Sequence, residues 1–199
     1  MITRIDFEEW MSLSMAREVV DSFFGDRSTY PDFEFYSRKR GINKDIPEEY
    51  YPLLLLGESL PYVERIRLSP DSLPGPDGAL LLDDGSMLSV QVTLSYERDD
   101  GYAIRKSLRD TGWYTKGVAC DTANVITQRT QRILAAVEDK EAKFRPGTDI
   151  LLVVDKSISW GDVIDTTLPN SLNKAFKALP VSKYSATYVI FGVDVRRVR

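Results

Sequence analysis

PDGALLLDDGSMLSVQVTLS, residues 76–95, holds the reading that decides the fold. Asp84-Gly85 is a strong hairpin signal, because both residue types tolerate the positive φ of a tight primed turn. It predicts a strand over Ala79–Asp83 and a longer one after the turn. In the longer strand Leu88, Val90, Val92 and Leu94 alternate with Ser89, Gln91, Thr93 and Ser95. A period of two sends the first set to one face of a sheet and the second to the other. One side is therefore apolar and the other polar.

Upstream, Tyr62–Leu68 reads as another strand, joined to the hairpin by the Pro/Gly-rich turn 69–78. Before Pro61 the texture is helical. Pro47 suits a first helical turn and is followed by Glu48 and Glu49, which predicts a helix to about Leu60. An earlier helix is expected from Asp6, which makes a capping-box pattern with Glu9, to Gly25, with Phe7, Trp10, Met11, Ser14 and Phe23 as its stripe. Residues 26–46 read as a polar loop with a basic tip, Ser37–Gly41.

Downstream, 97–120 reads as loop. A long helix is expected from Asp121 or Thr122 to Phe144, stopped by Pro146-Gly147. Ile150–Val154 is an unbroken apolar run, the pattern of a strand buried on both faces. Asn170–Leu179 is an amphipathic helix closed by Pro180, Thr187–Val195 is the last strand, and Arg196–Arg199 is a basic tail. The order α-α-β-β-β-α-β-α-β predicts an α/β fold: a mixed central sheet with a β-hairpin, flanked by helices. At 199 residues one domain is expected, with an N-terminal helix and polar loop (1–46) packed on an α/β core (47–199).

Composition narrows the chemistry. The chain is 43% hydrophobic and 28% charged, as ordinary globular proteins are. It has no histidine, which excludes His-based triads, His-ligated zinc and any imidazole base. The single Cys120 excludes an internal disulfide and a Cys-only zinc cluster, and it has no histidine to activate it. Chemistry falls to carboxylates, amides, hydroxyls and lysines. No apolar run approaches the roughly 20 residues of a membrane span, and the acidic start MITRIDFEEW is unlike a secretory signal, so a soluble cytoplasmic chain is expected. Charge is uneven: residues 1–96 hold 9 Lys/Arg against 17 Asp/Glu, and 97–199 hold 17 against 13. A basic second half can face a polyanion, although so small an excess is also commonplace.

Asp77 opens one strand of the hairpin, while Gln91 and Thr93 share a face of the next. If Asp77 faces the same way, a carboxylate, an amide oxygen and a hydroxyl converge. Hard oxygen donors of this kind suit Mg²⁺ or Mn²⁺. The plainer reading of Pro-Asp-Gly is a turn tripeptide, and Gln91 and Thr93 can equally be solvated. Asp83 and Asp84 read as turn chemistry.

The pattern resembles the PD-(D/E)XK, or restriction-endonuclease-like, nuclease superfamily, whose mark is Pro-Asp, a hairpin spacer and then Asp/Glu-x-Lys. The likeness spans roughly residues 48–155. It implies a restriction-endonuclease-like sandwich and Mg²⁺- or Mn²⁺-dependent cleavage of phosphodiesters, in DNA ahead of RNA. Asp77 matches the aspartate and Gln91 the second acidic position. The resemblance also implies a glutamate on the preceding helix as third metal ligand and catalytic group, for which Glu58 is the candidate and Glu64 the second choice. Gln91 retains an oxygen without the charge, and Thr93 stands where the family has lysine. Members of the family relocate that lysine to the following helix.

On that helix the apolar stripe is Ile126, Ile133, Val137 and Phe144, and Lys140 lies about 20° from Ile133. An unpaired ammonium on a packed face is costly. Lys140 either reaches toward Asp77 and Gln91 or snorkels at the helix end, where a cation also suits the dipole. Arg129, about 40° off the stripe, is the substitute cation, and Gln128 is a weaker neighbour.

Tyr102, Arg105, Lys106, Arg109 and Trp113-Tyr114-Thr115-Lys116 interleave rings with cations, as a nucleic-acid grip does and as an amphipathic loop also does. Arg105, Lys106, Arg109 and Lys116, with Arg129, form the expected nucleic-acid-binding set. Asp155-Lys156 is polar punctuation or an edge-of-sheet site.

The alternative function is a catalytically inactive nuclease-like module that binds nucleic acid or a protein, including an inhibitor or immunity-type role. Its expected partner surface is acidic and aromatic: Asp32, Glu34, Glu48 and Glu49 beside Tyr30, Phe33, Phe35, Tyr36, Tyr50 and Tyr51.

Overall fold

A computed structural model describes residues 4–25, 42–70, 75–95, 122–155 and 167–199. In chain order the helical elements are α1 (Arg4–Glu8), α2 (Leu13–Gly25), α3 (Ile42–Asp45), a π-helical turn (Ile46–Tyr50), α4 (Tyr51–Ser59), α5 (Thr122–Ala142) and α6 (Thr167–Phe176). The strands are β1 (Met11–Ser12), β2 (Val63–Leu68), β3 (Gly78–Leu82), β4 (Met87–Ser95), β5 (Ile150–Asp155), β6 (Ala186–Phe191) and β7 (Asp194–Arg197). They form one mixed sheet whose spatial order is the chain order. β1 through β4 are antiparallel neighbours, β4, β5 and β6 are parallel, and β7 folds back antiparallel on β6. Over the described residues the chain is thus α/β, a seven-stranded mixed sheet between helices.

Two parallel steps in one direction need two crossovers of the same hand, and these bring α5 and α6 to one face. There Ile133, Val137, Leu172 and Phe176 pack on Leu151, Val153, Val189 and Phe191. The other face carries Val90, Val92, Leu152, Val154, Tyr188 and Ile190 under α1, α2 and the helical run 42–59. β5 is apolar on both sides because both layers rest on it. Among the described residues no helix is long and apolar enough to cross a membrane.

Four expectations are corrected. The first helix is broken. Met11 and Ser12 pair with Ile66 and Arg65 and cover the edge of β2. Ser12 Oγ then accepts the Met15 N–H at 3.4 Å, so Ser12, and not Asp6, caps the longer helix. The second helical run begins at Ile42, with Pro47 inside it. Pro47 has no N–H to give, and the chain takes a π turn there, closed by the Tyr51 N–H on the Ile46 carbonyl.

The β3–β4 turn is not a two-residue primed turn. Gly85 has φ 80, and no described non-glycine residue has positive φ, so Asp84 stays on the ordinary side. Leu82 N–H donates to Ser86 O (2.9 Å) and Gly85 N–H to Leu82 O (3.0 Å), a type I turn completed by a left-handed glycine. Asp84 accepts the Ser86 N–H at 2.8 Å, so it does serve the turn. The last strand is in fact the hairpin β6–β7. Phe191 pairs with Asp194, and Gly192 at φ 63 supplies the primed turn.

Gly78 lets the start of β3 pass close to both α4 and β2. A Cβ there would lie 2.7 Å from Leu53 Cδ2 and 2.8 Å from the Arg67 carbonyl oxygen. Backbone cannot yield as a side chain can, so Gly78→Ala should cost about 1–3 kcal/mol, read from the urea midpoint.

Candidate active site

β3 leaves β4 early. Their pairing ends at Gly78 opposite Val90, whereas β4 continues to Ser95 on the β5 side alone. At the mouth of this divergence the Asp77 N–H still reaches Val90 O at 2.9 Å. The Val92 N–H has lost its strand partner, and Asp77 Oδ2 accepts it at 2.6 Å. The same oxygen accepts an N–H of the Gln91 side chain. Asp77 therefore lies on the Gln91 face of β4, opposite the Val90 and Val92 side chains. Among the described residues Oδ1 accepts no hydrogen bond. Burial pushes the Asp77 carboxyl above the usual carboxylate range. The Val92 N–H, the Lys140 charge, the Gln91 amide and the Lys44 charge, in that order, pull it back without cancelling the rise.

Lys140 comes to this face from above. It sits in the last turn of α5, whose Ile133 and Val137 are fully buried on the sheet, and its charge bears on Asp77. Tyr184 lies beside it, its Oη donating to the Lys140 carbonyl at 3.3 Å. Burial, then the charges of Glu141 and Asp77, push the Tyr184 phenol up to about 12. Arg145, just past α5, donates Nη1 to Gly75 O at 3.4 Å, tying the end of that helix to the loop that carries Asp77. The structure thus brings Asp77 and Gln91 into contact and places Lys140 over the same face, where it acts on Asp77 through its charge. Thr93 lies two residues further along the same face, opposite Val153 of β5.

Other candidates are placed elsewhere. Glu58 is engaged by Arg17 of α2, whose Nε donates to Oε1 at 3.0 Å and whose Nη2 donates to Oε2. Glu64 is exposed where the β2–β3 register shifts. Arg129 donates Nε (2.9 Å) and Nη2 (2.5 Å) to Asp155 Oδ2, and the two side chains are only 13% and 2% exposed. Asp155 is accordingly a buried counter-ion. Gln128 is exposed. Tyr102, Arg105, Lys106, Arg109, residues 113–116, Cys120 and Lys156 lie outside the described residues, as do Tyr30, Asp32, Phe33, Glu34, Phe35, Tyr36 and the basic tip 37–41. Of the expected partner surface, Tyr50 is corrected to the core: it is fully buried against Phe7, with ring centroids 4.4 Å apart. Tyr51 packs on Phe24 at 5.5 Å.

Sequence reasoning missed Lys44, Arg145 and Tyr184. Each comes from an element distant along the chain, and no spacing marks it. A cavity of about 420 Å³ lies nearby, walled in part by Phe176, Leu179, Pro180, Tyr184 and Arg199. Asp77, Gln91 and Lys140 do not line it.

Among the described residues no three His, Cys, Asp or Glu side chains gather as a metal cage. One carboxylate with an adjacent amide fits Mg²⁺ or Mn²⁺ in its hydrated form, since Mg²⁺ keeps several waters and often takes only one or two carboxylates. The Gln91 amide must turn its oxygen inward to join, exchanging the N–H it now gives Asp77. Fold and geometry define the class: an α/β protein with a buried carboxylate at a strand divergence and a lysine over it. Compared with protein-family models, with curated proteins and with solved structures, the chain matches none.

The raised Asp77 pKa makes a stability prediction. Ionising Asp77 costs more in the folded chain than in the unfolded one. The stability of the neutral form is therefore fully present below about pH 4 and lost as pH rises through the folded value. Asp77→Asn keeps an oxygen for the Val92 N–H. Its urea midpoint should match the wild type below about pH 4 and exceed it at pH 7. A lower midpoint at pH 7 would mean that the carboxylate is net stabilising.

Proposed function

We propose that the chain is a divergent metal-dependent nuclease that hydrolyses phosphodiester bonds at Asp77, Gln91 and Lys140. The observation that carries this reading is a buried carboxylate at the β3–β4 divergence, with an amide and a lysine charge on it from the same face. The order α4–β2–β3–β4–α5–β5 also accords with the α-β-β-β-α-β core that the PD-(D/E)XK resemblance implies.

Asp77 Oδ1 and a turned Gln91 Oε1 would hold hydrated Mg²⁺ or Mn²⁺, which when bound supplies Lewis-acid charge and a more acidic water. Lys140 holds the attacking water by a hydrogen bond to its oxygen and stabilises charge on the non-bridging phosphate oxygens. The water oxygen bonds to phosphorus and gives up its proton to solvent, the leaving P–O bond breaks, and the departing alkoxide takes a proton from solvent, so that one water is consumed and no net proton is gained or lost in the transfer. Arg145 flanks the site with further positive charge for a polyanion, while Lys44, 3.9 Å from Glu49, bears on Asp77 only through its charge. Glu58 joins only by releasing Arg17. DNA stands ahead of RNA because the resemblance points there. A cytoplasmic setting belongs to the same reading, with one cysteine in the chain.

A second reading, a module that binds without cutting, is favoured by one observation. Asp77 Oδ2 is already satisfied by Val92 and Gln91, and Glu58 by Arg17. The test is incubation of the full chain with supercoiled plasmid, single-stranded DNA and RNA in Mn²⁺, beside Mn²⁺ calorimetry. The nuclease reading expects cleavage and ion binding by the wild type, both lost in Asp77→Ala. Neither seen in the wild type, with nucleic acid still retained in a gel shift, would leave the second reading standing.

A further inference from the structure

The turn of α5 that carries Lys140 is fastened from outside the helix. Glu141 is the anchor. Its Oε1 accepts from Ser182 Oγ (2.5 Å) and Arg199 Nη2 (2.7 Å), and its Oε2 accepts from the Lys183 N–H (3.1 Å). The main chain is held as well: Lys183 Nζ donates to Glu141 O at 2.8 Å and Tyr184 Oη to Lys140 O at 3.3 Å. Phe144 meets Tyr184 edge-on, with centroids 5.0 Å apart.

Helix stability does not account for this arrangement. A carboxylate in the last turn faces the negative end of the helix dipole and is unfavourable there. Three donors from residues 182, 183 and 199 offset it. They also convert the helix end, which ordinarily frays, into a fixed point of the fold. Lys140 is one residue away, about 100° around the helix, so the clamp grips one side and leaves Lys140 to the sheet. Just past the clamped turn Arg145 Nη1 donates to Gly75 O at 3.4 Å, which ties this helix end to the loop that carries Asp77.

We infer that Glu141 is a positioning residue: by gripping Ser182, Lys183 and Arg199 it keeps the last turn of α5, and Lys140 with it, over the sheet face that carries Asp77 and Gln91. The inference rests on the nuclease reading for its catalytic consequence, but not for the placement itself. A misplacement of about 1 Å at a reacting group costs up to about a hundredfold in rate, so a frayed turn would be felt.

The test has two arms on the full chain. In the first, lysines carry ¹³C at Cε, and the Lys140 resonance is identified by its disappearance in Lys140→Arg. Glu141→Ala should move that resonance into the solvated-lysine envelope, and Glu141→Gln should largely restore it. In the second, Glu141→Ala should lower kcat about tenfold or more with KM and Mn²⁺ affinity unchanged, and it should add nothing to the loss in Lys140→Met. Ser182→Ala, a smaller cut in the same clamp, serves if Glu141→Ala does not fold. An unmoved Lys140 resonance, or losses that multiply in the double variant, would overturn the inference. Absence of cleavage by the wild type removes the nuclease reading only, and the resonance then decides the placement alone.

Discussion

Lys140→Met should slow phosphodiester cleavage by about 10²–10³-fold while Mn²⁺ affinity stays within about twofold of wild type. Lys140 lies over the sheet face that carries Gln91, and its charge bears on Asp77. It is half-buried in the last turn of α5. Methionine keeps the volume of the stem and removes the ammonium, so packing of α5 should survive and the loss report charge. Lys140→Arg should restore little, because a planar fork cannot occupy the position of a compact ammonium. Asp77→Ala should differ in kind: it abolishes both ion binding and cleavage, and it leaves the Val92 N–H without its acceptor. If Lys140→Met cleaves at the wild-type rate, the lysine is a snorkelling helix-end cation and the active-site assignment fails.

The largest effect on stability is expected at Arg129. Arg129→Met should cost about 3–5 kcal/mol in urea unfolding, because it takes the Arg129 charge away from the buried Asp155 carboxylate. Ser95 Oγ, 3.4 Å from Asp155 Oδ1, offers a long hydrogen bond but no counter-charge. The double variant Arg129→Met/Asp155→Leu should recover most of that loss, since an apolar pair of similar volume avoids the desolvation of two ions. The same variants decide the role of Arg129 in nucleic-acid binding. A residue spent on Asp155 should leave the salt dependence of binding unchanged, whereas a phosphate contact would lower the slope by about one. A small cost with a lowered slope would return Arg129 to the binding surface.

The part of the site that could be read from sequence was its local part. Asp77 and Gln91 are joined by one hairpin, so alternation along β4 and the turn at Gly85 sufficed to put them together. The face of α5 that Lys140 occupies was legible through its angle to Ile133, because a helix that packs one stripe carries its neighbours with it. Glu58 and Arg17 are 41 residues apart, and Arg129 and Asp155 are 26 apart, in elements whose mutual orientation no local pattern specifies. Lys44, Tyr184 and the Glu141 clamp were invisible for the same reason.

The same division runs through the fold. Residue order was enough for the α/β class, the polar and apolar faces of β4, the two-sided burial of β5 and the long helix over residues 122–142. These come from periodicities of two and of about 3.6, which are properties of the backbone. Long-range packing was needed to draw Met11 and Ser12 out of the helix onto the edge of β2, and to put the primed turn at Gly192 instead of Gly85. It also settled which charges were already partnered. Periodicity tells a residue which face it occupies, but its partner is set by how helices from distant parts of the chain come to rest on the sheet.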